Sequence, residues 1–378
     1  MLLLAPAAHG IAISPSLASP SVADVGGRSI LAASPEECAA LLGGSGRAKL
    51  VWERLRAGVS PFGEEGGLGK KARAQLGLAF RMPSYTLVSQ TASECGTRKL
   101  LLELADGAAV EAVVIPSEDR PFSTLCVSSQ VGCAQACTFC ATGRMGRVRN
   151  LSTDEILAQL YEANALVRRT PGLPAIRNVV FMGMGEPLDN AAAVQSALNS
   201  MTHAFGFRLS TNHVCVSTVG PSPDAVRATL PSLPARLAWS VHAADEELRR
   251  LLVPTSKPHS LVELRDAFVD VLTERRDRGL MIECTLIDGV NDGARHADEL
   301  VALVAPLPGK TRINLIPYNE NDALGPVGRT FRTSPPEKVR AFHRAVMDAG
   351  VICTTRTTRG LGEAAACGQL ATRRERAR

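Results

Sequence analysis

From Phe122 onward, short apolar and β-branched runs alternate with helical patterns, and that alternation sets the expected architecture. Runs of strand length fall near residues 125–128, 178–182, 213–217, 237–241, 282–287 and 312–316. Helices fit between them. Ser152-Thr153-Asp154-Glu155 has the form of a capping box at one helix start, and Ser334-Pro335-Pro336-Glu337 opens another that stops by Gly350. Six successive βα units predict an α/β fold with a parallel sheet and outer helices, as an open sheet or a partial TIM-like barrel. Either form places ligands at the C-terminal strand ends.

Upstream, Ser34-Pro35-Glu36-Glu37 reads as a capping box with proline at the first helical position, followed by apolar Cys38, Leu41 and Leu42. Further helical stretches at 47–57 and 70–76 flank a Gly-rich segment and extend a small helical domain to about residue 90. Residues 99–104 and 110–115 flank Ala105-Asp106-Gly107, a hairpin signal. The first thirty residues are rich in Ala, Ser and Pro, with no acid before Asp24. They read equally as an unstructured N-terminus or an organellar transit peptide. The expected division is a leader at 1–33, a helical RNA-binding-type accessory domain at 34–95, a hairpin linker at 96–118, the main α/β core at 119–370 and a basic tail at 371–378.

Composition narrows the class. The 378 residues are 45% hydrophobic, with 42 Lys+Arg against 37 Asp+Glu for a net +5, which is globular rather than disordered. No apolar run approaches the roughly 18 residues of a membrane helix. Arg373, Arg374, Arg376 and Arg378 against Glu375 place +3 in the last six residues, so the body is nearly neutral. Nucleic acid binding is permitted but not required. Lys70, Lys71 and Arg73, and also Arg144, Arg147 and Arg149, suit either phosphate contacts or a solvated surface. Ten cysteines are too few for a disulfide scaffold at this length, and a reducing compartment is the better default.

Three cysteines nevertheless fall within eight residues. Cys133-x3-Cys137-x2-Cys140 follows the first core strand, and the next sixty residues contain no further Cys or His. Structural zinc needs four ligands and would have to recruit Cys126 or a distant group. A 4Fe-4S cluster on three thiolates leaves one iron open to a substrate or cofactor. Gly183-x-Gly185 ends a strand, but Leu188 stands where a dinucleotide fingerprint has its third glycine, so these glycines are expected to let backbone approach a different ligand.

The chain resembles the radical S-adenosylmethionine (SAM) enzymes, and within them the RlmN/Cfr group of RNA adenosine methyltransferases. The resemblance runs from about residue 34 to 370. It is carried by Cys126-Val127-Ser128-Ser129-Gln130-Val131-Gly132-Cys133, Arg149-Asn150-Leu151, Phe181-Met182-Gly183-Met184-Gly185-Glu186-Pro187, Ile287-Asp288-Gly289-Val290-Asn291-Asp292 and Ala366-Cys367-Gly368-Gln369-Leu370. It implies one 4Fe-4S cluster on Cys133, Cys137 and Cys140, and a SAM pocket formed by Gly185, Glu186, Ser217, Ser240, Val241, His242 and Asn319. Glu186 would accept hydrogen bonds from the SAM ammonium.

Adenine ring carbons are not nucleophilic, so simple displacement from SAM cannot methylate them. The resemblance implies a protein carrier: Cys367 accepts a methyl from one SAM, and a second SAM yields a 5'-deoxyadenosyl radical that activates the methylated cysteine for addition to the base. Cys126 matches the resolving cysteine, which forms a transient disulfide with Cys367, and Glu111 matches the proton acceptor. From residue type alone, Glu111 would pass as a surface carboxylate and Cys126 as a core residue. Cys38, Cys95, Cys215, Cys284 and Cys353 match no functional position.

The implied activity is methylation of adenosine carbon 2 in large-subunit (23S-type) rRNA and in the anticodon loop of tRNAs, with two SAM per turnover. A flavodoxin- or ferredoxin-type electron donor, a monomer, no membrane partner and a cytoplasmic location complete that expectation. An organelle, such as the chloroplast, replaces the cytoplasm if the leader is a transit peptide. The rivals are a Cfr-like carbon-8 methyltransferase, a zinc-stabilised RNA-binding protein without catalysis, and a radical SAM enzyme acting on a small molecule.

Overall fold

The computed structural model describes residues 27–275, 279–321 and 325–372. Its centre is one ten-stranded sheet. In chain order the strands are β1 (Tyr85–Ala92), β2 (Arg98–Leu104), β3 (Ala109–Pro116), β4 (Ser123–Cys126), β5 (Ile176–Phe181), β6 (Val214–Thr218), β7 (Arg236–Ser240), β8 (Gly279–Leu286), β9 (Lys310–Pro317) and β10 (Ile352–Thr355). Each pairs with its neighbour in sequence, so the order across the sheet is the order along the chain. From β4 to β10 all pairings are parallel. The sheet does not close: β1 and β10 form its two edges, as in a partial barrel.

Seven helices accompany the parallel strands: α4 (Thr153–Arg169), α5 (Ala191–Thr202), α6 (Pro223–Thr229), α7 (Glu246–Leu252), α8 (Leu261–Glu274), α9 (Ala294–Val304) and α10 (Pro336–Asp348). They follow three N-terminal helices, α1 (Pro35–Leu42), α2 (Ser45–Arg56) and α3 (Lys70–Ala79). Ser34 caps α1 as expected: its hydroxyl accepts from Glu37 N at 3.1 Å while Glu37 Oε2 accepts from Ser34 N at 2.7 Å. The N-terminal helices share the main core. Trp52 on α2 meets Phe207 edge-on at 5.7 Å, and Gly58, at φ +63°, lies where a Cβ would come within 2.2 Å of Ala165 N on α4.

Four expectations need correction. Helix ends at Ala79, short of residue 90, because the β-branched run Tyr85–Ala92 finds an antiparallel partner in β2. The hairpin β2–β3 joins the main sheet through β3–β4 pairing instead of standing apart as a linker. The expected leader at 1–33 fails at its described end, where Ile30 and Leu31 are fully buried and Arg28–Ser29 pairs with Phe80–Arg81. A seventh parallel strand, β10, was not foreseen; it is four residues long and carries one buried side chain. Residues 1–26 and the Arg-rich end from 373 lie outside the described residues, and with them most of the expected leader and the basic tail.

Candidate active site at the C-terminal ends of the strands

The loop after β4 carries Cys133, Cys137 and Cys140. It begins as a short ladder, Gln130–Cys133 against Gly146–Asn150. Gly143 lies where a Cβ would come within 2.9 Å of both Cys137 N and Cys137 O, so only glycine lets the loop fold back on its second cysteine. Gly143→Ala is therefore expected to lower iron bound per chain after reconstitution by about half or more, read by iron analysis and absorbance. The loop is braced from outside by Leu252 O, which accepts from Thr138 N at 3.0 Å, and by Gln135, bonded to Asp189 and to the Thr255 hydroxyl.

The three thiols lie within electrostatic range of one another, Cys137 feeling both Cys140 and Cys133. Burial pushes Cys133 up to about 12 and Cys137 well above the ordinary thiol range, so three thiolates here need a strongly positive partner. Among the described residues, no three Cys, His, Asp or Glu side chains converge as a single metal ion demands. An iron–sulfur cube takes each thiolate on a different iron, and three thiols spread along one loop fit that donor set.

Around this loop the predicted pocket residues divide. Ser217 at the end of β6 and Ser240 at the end of β7 bring their hydroxyls to 2.9 Å. Glu186 is 3% exposed; its oxygens accept from Leu188 N and Val219 N, both at 3.0 Å. His242, at φ +61°, packs its ring on Phe139 of the cysteine loop at 4.6 Å, and its Nδ1 accepts from Thr285 N at 3.2 Å. Burial, with the Arg249 charge in support, pushes His242 down to about 3, so it is a neutral packing group and not an acid–base catalyst. Asn291, buried within the 287–292 stretch, donates to His242 O and Thr285 O, both at 2.7 Å, and thereby fixes that turn.

The glycines before Glu186 seat a neighbouring segment. A Cβ on Gly183 would meet Val127 O at 2.8 Å, and one on Gly185, at φ +102°, would meet the Gln130 side chain at 2.7 Å. On the side where a Cβ would stand, they admit the chain's own 127–130 segment. Arg149 forks onto Glu155 with two 2.8 Å bonds and reaches Asp106 at 2.7 Å, so it ties the hairpin to α4.

Burial also pushes Glu186 up to about 7. Because the folded value exceeds the ordinary 4.5, the protonated form stabilises the fold at low pH. That stability is lost as pH rises from about 4.5 through 7, and a bound ammonium recovers it. S-adenosylhomocysteine is expected to bind roughly tenfold more weakly at pH 6 than at pH 8, and Glu186→Gln to flatten that dependence in calorimetry.

The C-terminal segment closes the site. Gly368 O accepts from Ala141 N at 2.7 Å and Leu370 O from the Thr142 hydroxyl at 2.6 Å, which lays residues 366–371 along the cysteine loop. Asn319 donates to Cys367 O at 3.0 Å, so its amide positions the cysteine. Glu111 Oε2 accepts from Ala371 N at 2.9 Å and Oε1 lies 3.4 Å from Lys99 Nζ. Glu111, Lys99, Arg332, Phe331 and Gln369 border a cavity of about 740 Å³. Burial pushes the Cys126 thiol up to about 12, with the charge of Cys367 adding to it, which places the two cysteines within electrostatic range. All ten cysteines are free thiols.

Sequence reasoning missed two arginines. Arg249 on α7 is 1% exposed and donates to Ser240 O at 3.0 Å, to Val219 O at 2.6 Å and to Val241 O. Arg356 follows β10. Neither sits in a motif of chemical residues, and their only sequence signal is an arginine beside predicted apolar elements.

Residues 127–304 match the Radical SAM superfamily. A radical SAM methyltransferase from Sphaerobacter thermophilus aligns at 32% identity over 92% of this chain and 100% of its own, with a TM-score of 0.82. A domain of a pyruvate-formate lyase-activating enzyme from Bacteroides vulgatus matches at 20% identity over 48% of this chain and 99% of its own, TM-score 0.35. SuiB from Streptococcus suis matches at 13% identity over 62% of this chain and 48% of its own, TM-score 0.43. The chain belongs to the radical SAM superfamily, which implies a 4Fe-4S cluster and SAM. Within it, the chain has the architecture of a radical SAM methyltransferase over 92% of its length.

Proposed function

We propose that this protein methylates carbon 2 of an adenosine in large-subunit rRNA and in tRNA anticodon loops, using Cys367 as methyl carrier. One observation carries the reading: the C-terminal segment brings Cys367 within electrostatic range of Cys126, while the same segment, through Ala371, is bonded to Glu111 on the wall of a large cavity. A small-molecule radical enzyme has no use for that second pair of thiols. Cys133, Cys137 and Cys140 would hold the cluster, which when bound supplies the single electron that cleaves SAM. Glu186 would hold the SAM ammonium, and Ser217 and Ser240 would offer hydroxyls to the same ligand.

The remaining work belongs to side chains of this chain. The Cys367 sulfur would attack the methyl carbon of one SAM, with S-adenosylhomocysteine as leaving group; the 5'-deoxyadenosyl radical from a second SAM would then remove one hydrogen atom from that methyl group, and its carbon would bond to the base, with loss of the ring proton and return of one electron to the cluster, leaving Cys367 joined to the base as a thioether. The Cys126 sulfur then attacks Cys367; an S–S bond forms, the carbon leaves with its electron pair and is protonated, and cellular thiols reduce the disulfide. Glu111 takes the proton from the ring carbon. The cavity is large enough for a base taken out of its stack, and Lys99 and Arg332 on its border suit the attached phosphates. A flavodoxin- or ferredoxin-type protein is the proposed electron donor.

Anaerobic protein reconstituted with iron and sulfide is incubated with SAM, a reductant and unmodified large-subunit rRNA, and the digested RNA is analysed by mass spectrometry. 2-Methyladenosine supports the reading. 8-Methyladenosine selects the Cfr-like alternative, and SAM cleavage without any methyladenosine refutes the RNA assignment.

A further inference from the structure

Glu111 stands on a hairpin strand, and both of its carboxylate oxygens are engaged from outside that strand. Oε2 accepts from Ala371 N at 2.9 Å, and Oε1 lies 3.4 Å from Lys99 Nζ. The Glu111 side chain is 2% exposed and that of Lys99 16%, and both residues border the large cavity. Across β2, β3 and β4, Lys99, Val113 and Cys126 are register partners, and Glu111 lies two residues before Val113. Strand side chains alternate, so Lys99, Glu111 and Cys126 share one face of the sheet. The diagonal step from Lys99 to Glu111 is one that a long side chain spans.

The backbone beneath the carboxylate is held as well. Glu111 O accepts from the Ser128 hydroxyl at 2.7 Å, and that hydroxyl accepts from Met184 N at 2.9 Å. A buried carboxylate is costly without a cation, and Lys99 supplies one. Arg332, at the same cavity, directs Nη1 to the carbonyls of its own loop, Arg329 O at 2.9 Å and Phe331 O at 2.8 Å. We infer that Lys99 is the positioning residue for proton removal: its ammonium pairs with the Glu111 carboxylate and, together with Ala371 N, holds it at the cavity wall in the orientation that takes the ring proton.

The inference deepens the reading of Glu111 as proton acceptor and rests on it. In that step the ring C–H bond breaks and an O–H bond forms on Glu111; the C–H electron pair stays with the ring, and one electron returns to the cluster. An ammonium has three N–H bonds, so pairing with Glu111 leaves two for an RNA phosphate. The two roles separate in kinetics. Loss of a phosphate contact raises KM, whereas loss of an oriented base lowers kcat.

Cluster-loaded protein is supplied anaerobically with SAM, a reductant and transcribed large-subunit rRNA whose adenosines carry hydrogen or deuterium at carbon 2. Rates of 2-methyladenosine formation are read by mass spectrometry across RNA concentrations. Lys99→Met is expected to lower kcat about thirtyfold with KM for RNA rising no more than about fivefold. Its rate ratio of hydrogen to deuterium substrate is expected to exceed that of the parent about threefold, because proton removal becomes the slow step. Lys99→Arg is expected to recover most of the loss. Glu111→Gln removes the acceptor, and adding Lys99→Met to it is expected to slow the reaction no further, since the lysine acts through the carboxylate. A parental kcat in Lys99→Met, a change in KM alone, an unchanged isotope ratio or further slowing in the double variant overturns the inference and leaves Glu111 as the acceptor. Glu111→Gln at the parental rate, or a parent that forms no 2-methyladenosine, overturns the underlying reading and this inference together. Should Lys99→Met not fold, Lys99→Gln carries the same comparisons.

Discussion

Cys367→Ala is expected to lower methylation of RNA by roughly a thousandfold or more while leaving the cluster loaded and SAM able to bind. The separation follows from where Cys367 sits. It belongs to a segment held by backbone groups: Gly368 O on Ala141 N, Leu370 O on the Thr142 hydroxyl, Ala371 N on Glu111. Asn319 binds the Cys367 carbonyl and not its sulfur. Removing the sulfur therefore leaves these backbone contacts intact. Cys126→Ala is expected to fail differently. The methyl carbon still reaches the base through Cys367, but nothing displaces it, and a denaturant-resistant protein–RNA adduct should accumulate on gels of labelled RNA. Equal, adduct-free loss in both variants would sink the carrier mechanism, and full activity in Cys367→Ala would sink it at once.

Arg249→Met is expected to lower stability by about 3–6 kcal/mol, a drop in Tm of roughly 5–10 °C in calorimetry of the cluster-free protein. Arg249 is nearly inaccessible, and its guanidinium satisfies carbonyls at the ends of two neighbouring strands: Val219 after β6, and Ser240 and Val241 after β7. Methionine fills comparable volume but leaves these buried acceptors unpaired, and each costs about 1–3 kcal/mol. Lysine is expected to fall between, because an ammonium cannot reproduce the planar fork that serves separate carbonyls. The same carbonyls belong to the turn carrying Ser240, Val241 and His242, so weaker binding of S-adenosylhomocysteine should accompany the lost stability. A Met variant melting within 1 °C of the parent would show that water replaces the guanidinium and that the arginine is dispensable.

The framework of the fold was open to inspection in the chain itself. The six core strands were located to within a few residues, because parallel strands covered on both faces leave continuous apolar runs, and their helices announce themselves by capping residues such as Ser34 and Ser152. β1 and β10 were missed for opposite reasons. Residues 85–92 mix polar and apolar positions because one side of that edge strand is solvated, and residues 352–355 are too few for a pattern. The cysteine triplet was legible because its ligands are local. Cys126, Cys367 and Glu111 were recognisable only through resemblance, for nothing in the 240 residues between the first two says that they come near each other.

What the sequence alone determined is thus what depends on neighbours within a few positions: the order of strands and helices, the caps, and a three-thiol loop with no local fourth ligand. Only the tertiary structure decided which groups oppose one another across the sheet. It set residues 127–130 against the glycines before Glu186, made Arg149 a brace between the hairpin and α4, and bonded the Asn319 amide to the Cys367 carbonyl. It also placed Arg249 where buried carbonyls need it. The physical reason is that backbone propensity and motif spacing are short-range, whereas desolvation and charge pairing depend on which distant segments remove water from a group, and that is settled when the chain packs.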